Sequence, residues 1–331
     1  MAMENADINP SQRAATVTPM RDEAPVDKAD ILLYAGVVAS WSLSWYAIIM
    51  QLGVVAPEVS LVWRFALAAA VMIALGLFRR ETLRFSAKEH AMFAATGLFM
   101  FSTNFLFFYY AGQYLVSGLL SVVFSLASIF NIALAAIFLG QRPGIRTLSG
   151  AAMGVTGIGL MFWPEISTTS LTGSAALGLM LCICGTLCFC TGNMISATMQ
   201  RRKIPVMPAT AWGMVYGTFV AAFYAFVAGK PFIIEWTPEY IGSLIFLAVV
   251  SSVLAFTCYL TLLGRIGSGR AAYATVMFPV LALILSTFLE GYSWSALATL
   301  GLALALAGNA IVLTRSRKKA QAIGKASQGA G

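Results

Sequence analysis

Residues 59–78 read VSLVWRFALAAAVMIALGLF, and Arg79 and Arg80 follow them directly. Within this stretch Arg64 is the only charged side chain. An α-helix rises about 1.5 Å per residue, so about 20 residues are needed to cross a hydrocarbon core of about 30 Å. The stretch therefore predicts a membrane-spanning helix that ends at a pair of arginines.

Similar apolar stretches fill most of the remaining chain. Of the 331 residues, 59% are hydrophobic and 10% are charged, whereas ordinary globular domains have about 25% charged residues. We predict an all-α integral membrane protein, because the runs lack the strict polar and apolar alternation of membrane strands. The ten predicted spans are 31–50, 59–78, 91–110, 117–139, 147–163, 176–199, 209–228, 241–263, 271–289 and 296–314.

The positive charges predict the orientation of these spans. Apart from Lys230 and Arg64, every Lys and Arg falls in the two tails or in alternate loops on one side. Cytoplasmic loops carry the excess of Lys and Arg, so we expect both termini in the cytoplasm. Residues 1–29 predict a disordered cytosolic tail, and residues 315–331 predict a basic cytosolic tail. The clustering of charge between apolar runs also argues against a nucleic-acid partner, despite the net charge of +8.

The two halves of the chain, 30–163 and 175–314, resemble each other at a shift of 151 positions. Matched pairs are Pro57 with Pro208, Ser117 with Ser268, Gly150 with Gly301 and Gly157 with Gly308. A unit of five spans is odd in number, so its second copy must have the opposite orientation in the membrane. Secondary transporters build two alternating gates around one site from such inverted repeats.

Several motifs occur in a characteristic order in both halves. They are SWSLSWYAI at 40–48, Pro57 followed by Trp63-Arg64-Phe65, AIFLGQRPG at 136–144, ATVMFPVLALILSTFLEG at 274–291 and GLALALAGNA at 301–310. With these motifs the chain resembles the EamA family of the drug/metabolite transporter superfamily, and within it the amino-acid exporters of the YddG type. Gln141 departs from the Glu frequent at this point of the family, whereas Glu290 keeps the acid in the second half. The resemblance implies export of metabolites, most often amino acids.

A central cavity should be lined by polar and aromatic groups that lipid does not tolerate. An amino acid needs hydrogen-bond partners at its zwitterionic end and apolar or aromatic walls around its side chain. The predicted substrate-binding residues are Ser40, Trp41, Ser44, Trp45, Asn104, Tyr109, Ser121, Ser125, Tyr259 and Tyr273. The alternative for the serines is that small residues permit close helix packing and bond back to their own helix.

Two further residues are interpreted as gating or structural. Arg64 lies about 9 Å from the end of its span, at 1.5 Å per residue. It either attracts a substrate carboxylate or an outer gate, or it snorkels outward and bonds carbonyls near Pro57. Pro279 lacks an amide hydrogen and should weaken its helix, as a gating hinge or as static curvature.

No metal, cofactor or catalytic group is predicted. Cys182, Cys184, Cys188 and Cys190 form CxCxxxCxC within one span. This spacing differs from that of a zinc knuckle, so we interpret them as small buried hydrophobes, with a metal site or thiol switch as the alternative. An intramembrane enzyme would need a motif such as HExxH, paired Asp residues or a Ser–His pair, and His90 is the sole histidine.

The sequence thus favours an inner-membrane exporter of aromatic and other neutral amino acids that works by alternating access. A small molecule and the lipid bilayer are its expected partners, and a monomer or homodimer its expected state. The alternatives are a carrier of other metabolites or drugs and an intramembrane enzyme. Because acidic groups are nearly absent from the spans, facilitated or weakly coupled efflux is the expected mechanism.

Overall fold

The computed structural model describes residues 27–139, 143–168, 174–266 and 274–328. Helices joined by short turns make up these four ranges, in which no strand occurs. The helices are α1 (Lys28–Ile49), α2 (Pro57–Phe78), α3 (Ala87–Leu98), α4 (Asn104–Ala111), α5 (Ser117–Phe124), α6 (Ala127–Leu139), α7 (Ile145–Thr168), α8 (Ser174–Arg201), α9 (Val206–Val227), α10 (Pro238–Ile245), α11 (Ala255–Ile266), α12 (Ala274–Leu289) and α13 (Ala296–Gln328). The chain is therefore all-helical, as predicted.

Local sequence signals set the start of several helices. Asp27 accepts a hydrogen bond from the backbone of Asp30 at 2.8 Å, and a capping box opens α1 at this point. Ser86 forms the equivalent box before α3. Pro57 occupies the first turn of α2, where its missing N–H would have no helical partner in any case. The two capping boxes satisfy backbone donors that have no partner within their helices.

Within the described ranges, eight helical segments are long and apolar enough to cross a membrane, and they coincide with the predicted spans from 31–50 to 241–263. Two further apolar helices, Val276–Leu289 and Ala296–Val312, are shorter. The count of ten spans and the inverted repeat therefore stay predictions. The fourth predicted span, 117–139, is interrupted at Ser125 and Leu126, between α5 and α6. Residues 315–328 of the predicted basic tail continue α13.

Two of the long helices contain a π-helical segment. π1 (Phe99–Thr103) joins α3 to α4, and π2 (Phe246–Leu254) joins α10 to α11. Both segments end at positions related by the shift of 151 residues. π-Helical turns widen a helix and are frequent at functional sites. Ser252 in π2 uses the altered spacing to donate to the carbonyl of Leu247 at 2.7 Å.

Helices of the two halves pack against each other at small residues. A Cβ atom on Gly157 of α7 would lie 2.5 Å from the carbonyl oxygen of Gly301 of α13. One on Gly150 would lie 2.8 Å from the carbonyl oxygen of Gly308. Neither distance leaves room for a side chain, so glycine allows these two backbones to touch.

Candidate functional site

The helix ends define two ends of the bundle. The Arg-rich end holds the turns after α2 and α8, with Arg79 and Arg201–Lys203. The distal end holds the turns at Gly53, Gly112 and Gly229. The candidate site lies between these ends, where α1, α2, α4 and α5 of the first half face π2, α11 and α12 of the second.

An aromatic cluster fills the centre of this interface. Trp45 is 7% exposed and contacts the rings of Phe108, Phe124 and Phe278 at centroid distances of 5.0, 5.4 and 6.5 Å. Trp41, one turn earlier on α1, is half-buried. The cluster therefore offers a wall of ring faces contributed by both halves of the chain.

Trp41 extends the aromatic cluster towards the Arg-rich end. Its ring lies 5.2 Å from that of Tyr259, 6.2 Å from that of Phe278 and 6.3 Å from that of Phe256. Phe256 also lines a cavity of about 260 Å³ between α2, α9 and α11. Its other lining residues are Met72, Arg79, Met207, Thr210, Thr257 and Thr261. The cavity and the aromatic cluster thus share a wall.

A buried layer of polar side chains separates the aromatic cluster from the distal end. We call the following residues the polar layer: Gln51, Glu58, Ser60, Arg64, Tyr109, Tyr110, Tyr240 and Ser252. Tyr109 donates a hydrogen bond to Oε1 of Gln51 at 2.7 Å. The hydroxyls of Ser60 and Tyr240 lie 2.9 Å apart and join α2 to α10. Tyr110 donates to the carboxylate of Glu58.

Arg64 is the most deeply buried charge in the polar layer, at 2% exposure. Its Nη2 donates a long bond of 3.4 Å to Oγ of Ser252, across the interface between the halves. The guanidinium carbon lies 4.4 Å from the ring centre of Phe105 and 5.1 Å from that of Phe65, and Tyr109 lies beside it. Nε and Nη1 have no hydrogen-bond partner among the described residues.

A second contact closes the distal end beside the polar layer. Glu290, just after α12, accepts hydrogen bonds from the backbone N–H of Ser117 at 3.0 and 3.1 Å and from the Ser117 hydroxyl. The carboxylate therefore caps α5, where the positive end of the helix dipole stabilises an anion. This contact ties α12 of the second half to α5 of the first.

The distal end carries its own cavity, outside the polar layer. It has a volume of about 420 Å³. Its lining residues are Gly53, Val54, Ala56, Pro57, Tyr110, Gln113, Lys230, Pro231 and Ile233. Tyr110 belongs to both this cavity and the polar layer, so its bond to Glu58 lies on the boundary between them.

The structure brings together four of the predicted binding residues and places the others apart. Trp41, Trp45 and Tyr259 lie in or against the aromatic cluster, and Tyr109 lies in the polar layer. Asn104 is buried and donates to the carbonyl of Met100 within its own helix at 3.0 Å. Ser40 is half-buried, and Tyr273 lies outside the described residues, as does Gln141.

The predicted serines bond to their own helices. Ser44 donates to the carbonyl of Trp41 at 2.7 Å, and Ser121 donates to that of Gly118 at 2.6 Å. Ser125 donates to Val122 at 2.6 Å and also accepts a bond of 3.1 Å from Asn309 of α13. These contacts are those that the packing interpretation expects, and Ser125 adds a bond to the break between α5 and α6.

The remaining candidates lie away from the aromatic cluster or on its edge. Pro279 is buried within α12, next to Phe278, whose carbonyl lies 3.0 Å from the hydroxyl of Ser42. His90 lies against the ring of Trp212 at 4.7 Å, and its Nδ1 lies 3.1 Å from the hydroxyl of Tyr216. Within the described ranges, no group of three His, Cys, Asp or Glu side chains could hold a metal ion.

Comparison with known proteins decides the family. The sequence profile of the EamA-like transporter family matches residues 28–163 and 176–314. The chain belongs to the EamA-like transporter family. The resemblance found in the sequence motifs is thereby confirmed, and the protein is a multi-pass membrane transporter.

Relatives of this EamA-like transporter are distant. Protein PagO of Salmonella typhimurium is 21% identical over 80% of this chain and 86% of its own length. A probable amino-acid metabolite efflux pump of Escherichia coli is 24% identical over 58% of this chain and 66% of its own length. A solved crystal structure aligns with a TM-score of 0.61 and 18% identity, over 87% of this chain and 98% of that one. This last likeness supports the helical fold.

Several residues of the transporter's polar layer lie one residue outside the predicted spans. Gln51 follows the span 31–50, Glu58 precedes 59–78 and Tyr240 precedes 241–263. The helices that cover these residues come from distant parts of the chain, so hydropathy alone carried no signal of their burial. Glu58 and Tyr240 do share one sequence cue, a proline nearby. Glu58 directly follows Pro57, and Tyr240 lies two residues after Pro238.

Proposed function

We propose that this transporter exports aromatic and other neutral amino acids across the bacterial inner membrane by alternating access. Ten membrane-spanning helices form two inverted five-helix repeats, 30–163 and 175–314, and both termini lie in the cytoplasm. The Arg-rich end is then the cytoplasmic end. The protein acts as a monomer or homodimer without a cofactor.

The pattern of helix contacts supports the inverted repeat. Gly150 meets Gly308, and Gly157 meets Gly301. At the shift of 151 residues, Gly150 corresponds to Gly301 and Gly157 to Gly308. The two contacts are therefore exchanged when the halves are exchanged, as a two-fold axis between α7 and α13 requires. The corresponding ends of π1 and π2 agree with the same axis.

The difference between the two ends of the bundle supports alternating access, and it is the observation that carries the proposal. The cavity at the Arg-rich end shares Phe256 with the aromatic cluster, which supports entry of cargo from that end. The polar layer and the Ser117–Glu290 contact close the distal end. Both of these closures join residues of different halves, so rocking of one half against the other would break them together.

The chemistry of the site supports amino acids as cargo. The aromatic cluster supplies apolar walls, and the polar layer supplies hydrogen-bonding groups within reach of the same interface. The relative from Escherichia coli carries a name that refers to amino-acid metabolite efflux. Three of the predicted binding residues contact the cargo in this proposal: Trp41, Tyr259 and Tyr109. The residues that support them are Ser44, Trp45, Asn104, Ser121 and Ser125.

Release from liposomes tests the proposed cargo. Purified protein is reconstituted into liposomes loaded with single labelled amino acids, and their exit is followed with and without a pH gradient. We expect saturable release of aromatic and other neutral amino acids, slowed several-fold by Trp41→Ala, since this removes the ring that packs against Phe256 of the cavity wall. Trp163→Ala, at an exposed position on α7, is the matched control.

Two results would redirect the proposal. If no amino acid is released by protein whose helical circular dichroism is intact, the cargo is another metabolite or a drug. If release is not saturable, alternating access is wrong. A dependence of the release rate on the pH gradient would replace facilitated efflux by proton-coupled efflux.

A further inference from the structure

Arg64 is a buried cation without an anion. Within the described ranges, no carboxylate forms an ion pair with it. Its Nε and Nη1 make no hydrogen bond of ordinary geometry there, although the hydroxyl of Tyr109 lies beside the guanidinium. Glu58, on the same helix, directs one carboxylate oxygen to Tyr110 instead. A buried charge without a partner is strongly unfavourable, so such residues in membrane proteins usually serve a substrate path.

The groups around the guanidinium supply hydrogen-bond donors and ring faces. Nε2 of Gln51 has no acceptor, while its Oε1 already accepts the proton of Tyr109. The ring face of Phe105 lies against the guanidinium at 4.4 Å. A compact group with several lone pairs and a negative charge would supply the hydrogen-bond partner that Arg64 and Nε2 of Gln51 lack.

Helix packing does not explain the arginine. Helices α2 and α9 pack against each other. At the shift that matches Pro57 with Pro208, Arg64 corresponds to Val215 of α9. An aliphatic side chain therefore suffices at the equivalent point of the neighbouring helix.

We infer that Arg64 binds the carboxylate of the cargo, with Phe105 as a wall and Nε2 of Gln51 as a further donor. The inference rests on the proposed function, because cargo must reach the polar layer from the aromatic cluster. A guanidinium binds a carboxylate through two parallel hydrogen bonds. Two nitrogen pairs can make these bonds, Nε with Nη2 and Nη1 with Nη2. Both pairs include Nη2, which donates to Oγ of Ser252 at 3.4 Å. Carboxylate binding thus uses one of the two N–H groups of Nη2, the nitrogen that also contacts the second half.

The test compares ligands that differ only at the carboxylate. Thermal unfolding of the detergent-purified full chain is followed by tryptophan fluorescence with phenylalanine, phenylalaninamide, N-acetylphenylalanine, other neutral amino acids and sodium sulfate. We expect the acids to raise Tm and to bind about 10- to 100-fold more tightly than the amide, from the typical strength of charge-assisted hydrogen bonds. Sulfate at equal ionic strength should change Tm of the wild type and of Arg64→Gln by the same amount, because its general stabilising effect needs no binding site.

Variants assign this preference to the arginine. Arg64→Gln should bind acid and amide equally, and Arg64→Lys should retain a reduced preference, because an ammonium keeps the charge and loses the planar fork. Arg84→Gln makes the same charge change at an exposed position and should keep the full preference. If Arg64→Gln does not fold, Arg64→Lys decides, since a structural role alone predicts an unchanged acid-to-amide ratio.

Failure of the inference differs from failure of amino-acid export. One outcome is that amino acids are released from liposomes and that acid and amide inhibit this release equally. It would overturn the carboxylate site and leave export standing. Acid-selective stabilisation that depends on Arg64, without release, would support the carboxylate site and overturn export. Stabilisation by sulfate that depends on Arg64, or stabilisation by none of the acids, would overturn the carboxylate site.

Discussion

Helices α2 and α9 have the same length and pack against each other, yet they differ in what they bury. Helix α2 buries Glu58, Ser60 and Arg64 at 4%, 0% and 2% exposure. At the shift of 151 residues the corresponding positions of α9 are Ala209, Ala211 and Val215. Helix α9 therefore carries apolar residues at the three positions where α2 buries polar ones.

This difference separates what stabilises the bundle from what serves transport. Small and aliphatic side chains are sufficient for close helix packing in a membrane. Buried charges that lack a partner reduce stability, and well-packed apolar replacements are often neutral or stabilising. The polar layer is thus best explained by a ligand or a gate, and the predictions below test this division between the two helices.

Exchange of Arg64 for the α9 residue should give the largest effect. Arg64→Val removes a buried charge, so we expect transport to fall about 10- to 100-fold, the loss of one charged hydrogen-bonded contact, while Tm stays unchanged or rises. The reciprocal Val215→Arg should lower the free energy of unfolding by about 3 kcal/mol, the cost of an arginine at the centre of a membrane helix. Transport rates in liposomes and Tm in detergent measure the two effects.

The opposite outcome would mean that the buried residues of α2, like those of α9, serve packing. If Arg64→Val lowers Tm strongly and Val215→Arg is tolerated, the arginine stabilises the bundle. The polar layer would then be structural.

The two tryptophans of α1 should separate stability from transport in the aromatic cluster. Trp45 is buried among three rings, so Trp45→Ala should cost about 3–5 kcal/mol of unfolding free energy. Trp41 is half-buried beside the cavity wall, so Trp41→Ala should cost less and should mainly weaken cargo binding. Denaturation in mild detergent and the concentration dependence of release give both values; equal losses of stability would contradict the assignment.

The glycine contacts between α7 and α13 should carry part of the packing energy. Gly157→Ala places a methyl group against the backbone of α13 and should cost about 1–3 kcal/mol through overpacking. Gly159 faces open space two residues later, so Gly159→Ala is the matched control and should be neutral or slightly stabilising. Tm of the two variants decides, and equal Tm values would argue against a tight α7–α13 contact.

Loss of the Ser117–Glu290 contact should have the smallest effect. Glu290→Ala removes a carboxylate that accepts three hydrogen bonds at the start of α5, which should favour the state open at the distal end by about 1 kcal/mol, or about fivefold. A cysteine introduced at buried Ser121, in a chain with its five native cysteines replaced, should then react about fivefold faster with a soluble thiol reagent. The control is Glu239→Ala, at an exposed position, and an unchanged rate with Glu290→Ala would exclude this contact as a gate.

Long apolar runs allowed most of the helices to be predicted. The predicted span 59–78 and helix α2 differ by two residues at the start and agree at Phe78. Breaks within a helix were less accessible, since Ser125 is of the same residue type as Ser121 and Ser128, which lie within helices. The turn there depends on contacts such as the bond from Asn309 to Ser125.

The site was predictable only in part, for a related reason. Trp41, Trp45 and Tyr259 stand out as large amphipathic aromatics within apolar runs, and they do meet. The polar layer depends on Gln51 and Tyr240, whose burial is decided by helices far away in the sequence. The hydropathy of a single span describes how favourable that helix is in lipid, whereas burial in the interface depends on which helices pack against each other.

Trans-stimulation tests alternating access most directly. Liposomes loaded with a labelled aromatic amino acid are placed in buffer with or without the same unlabelled amino acid, and release is timed. In an alternating-access carrier, external cargo occupies the outward-facing site, and the loaded site returns faster than the empty one. We therefore predict several-fold faster labelled release, which Arg64→Val abolishes. Release that external cargo slows or leaves unchanged at all concentrations would contradict the account and indicate a channel-like path.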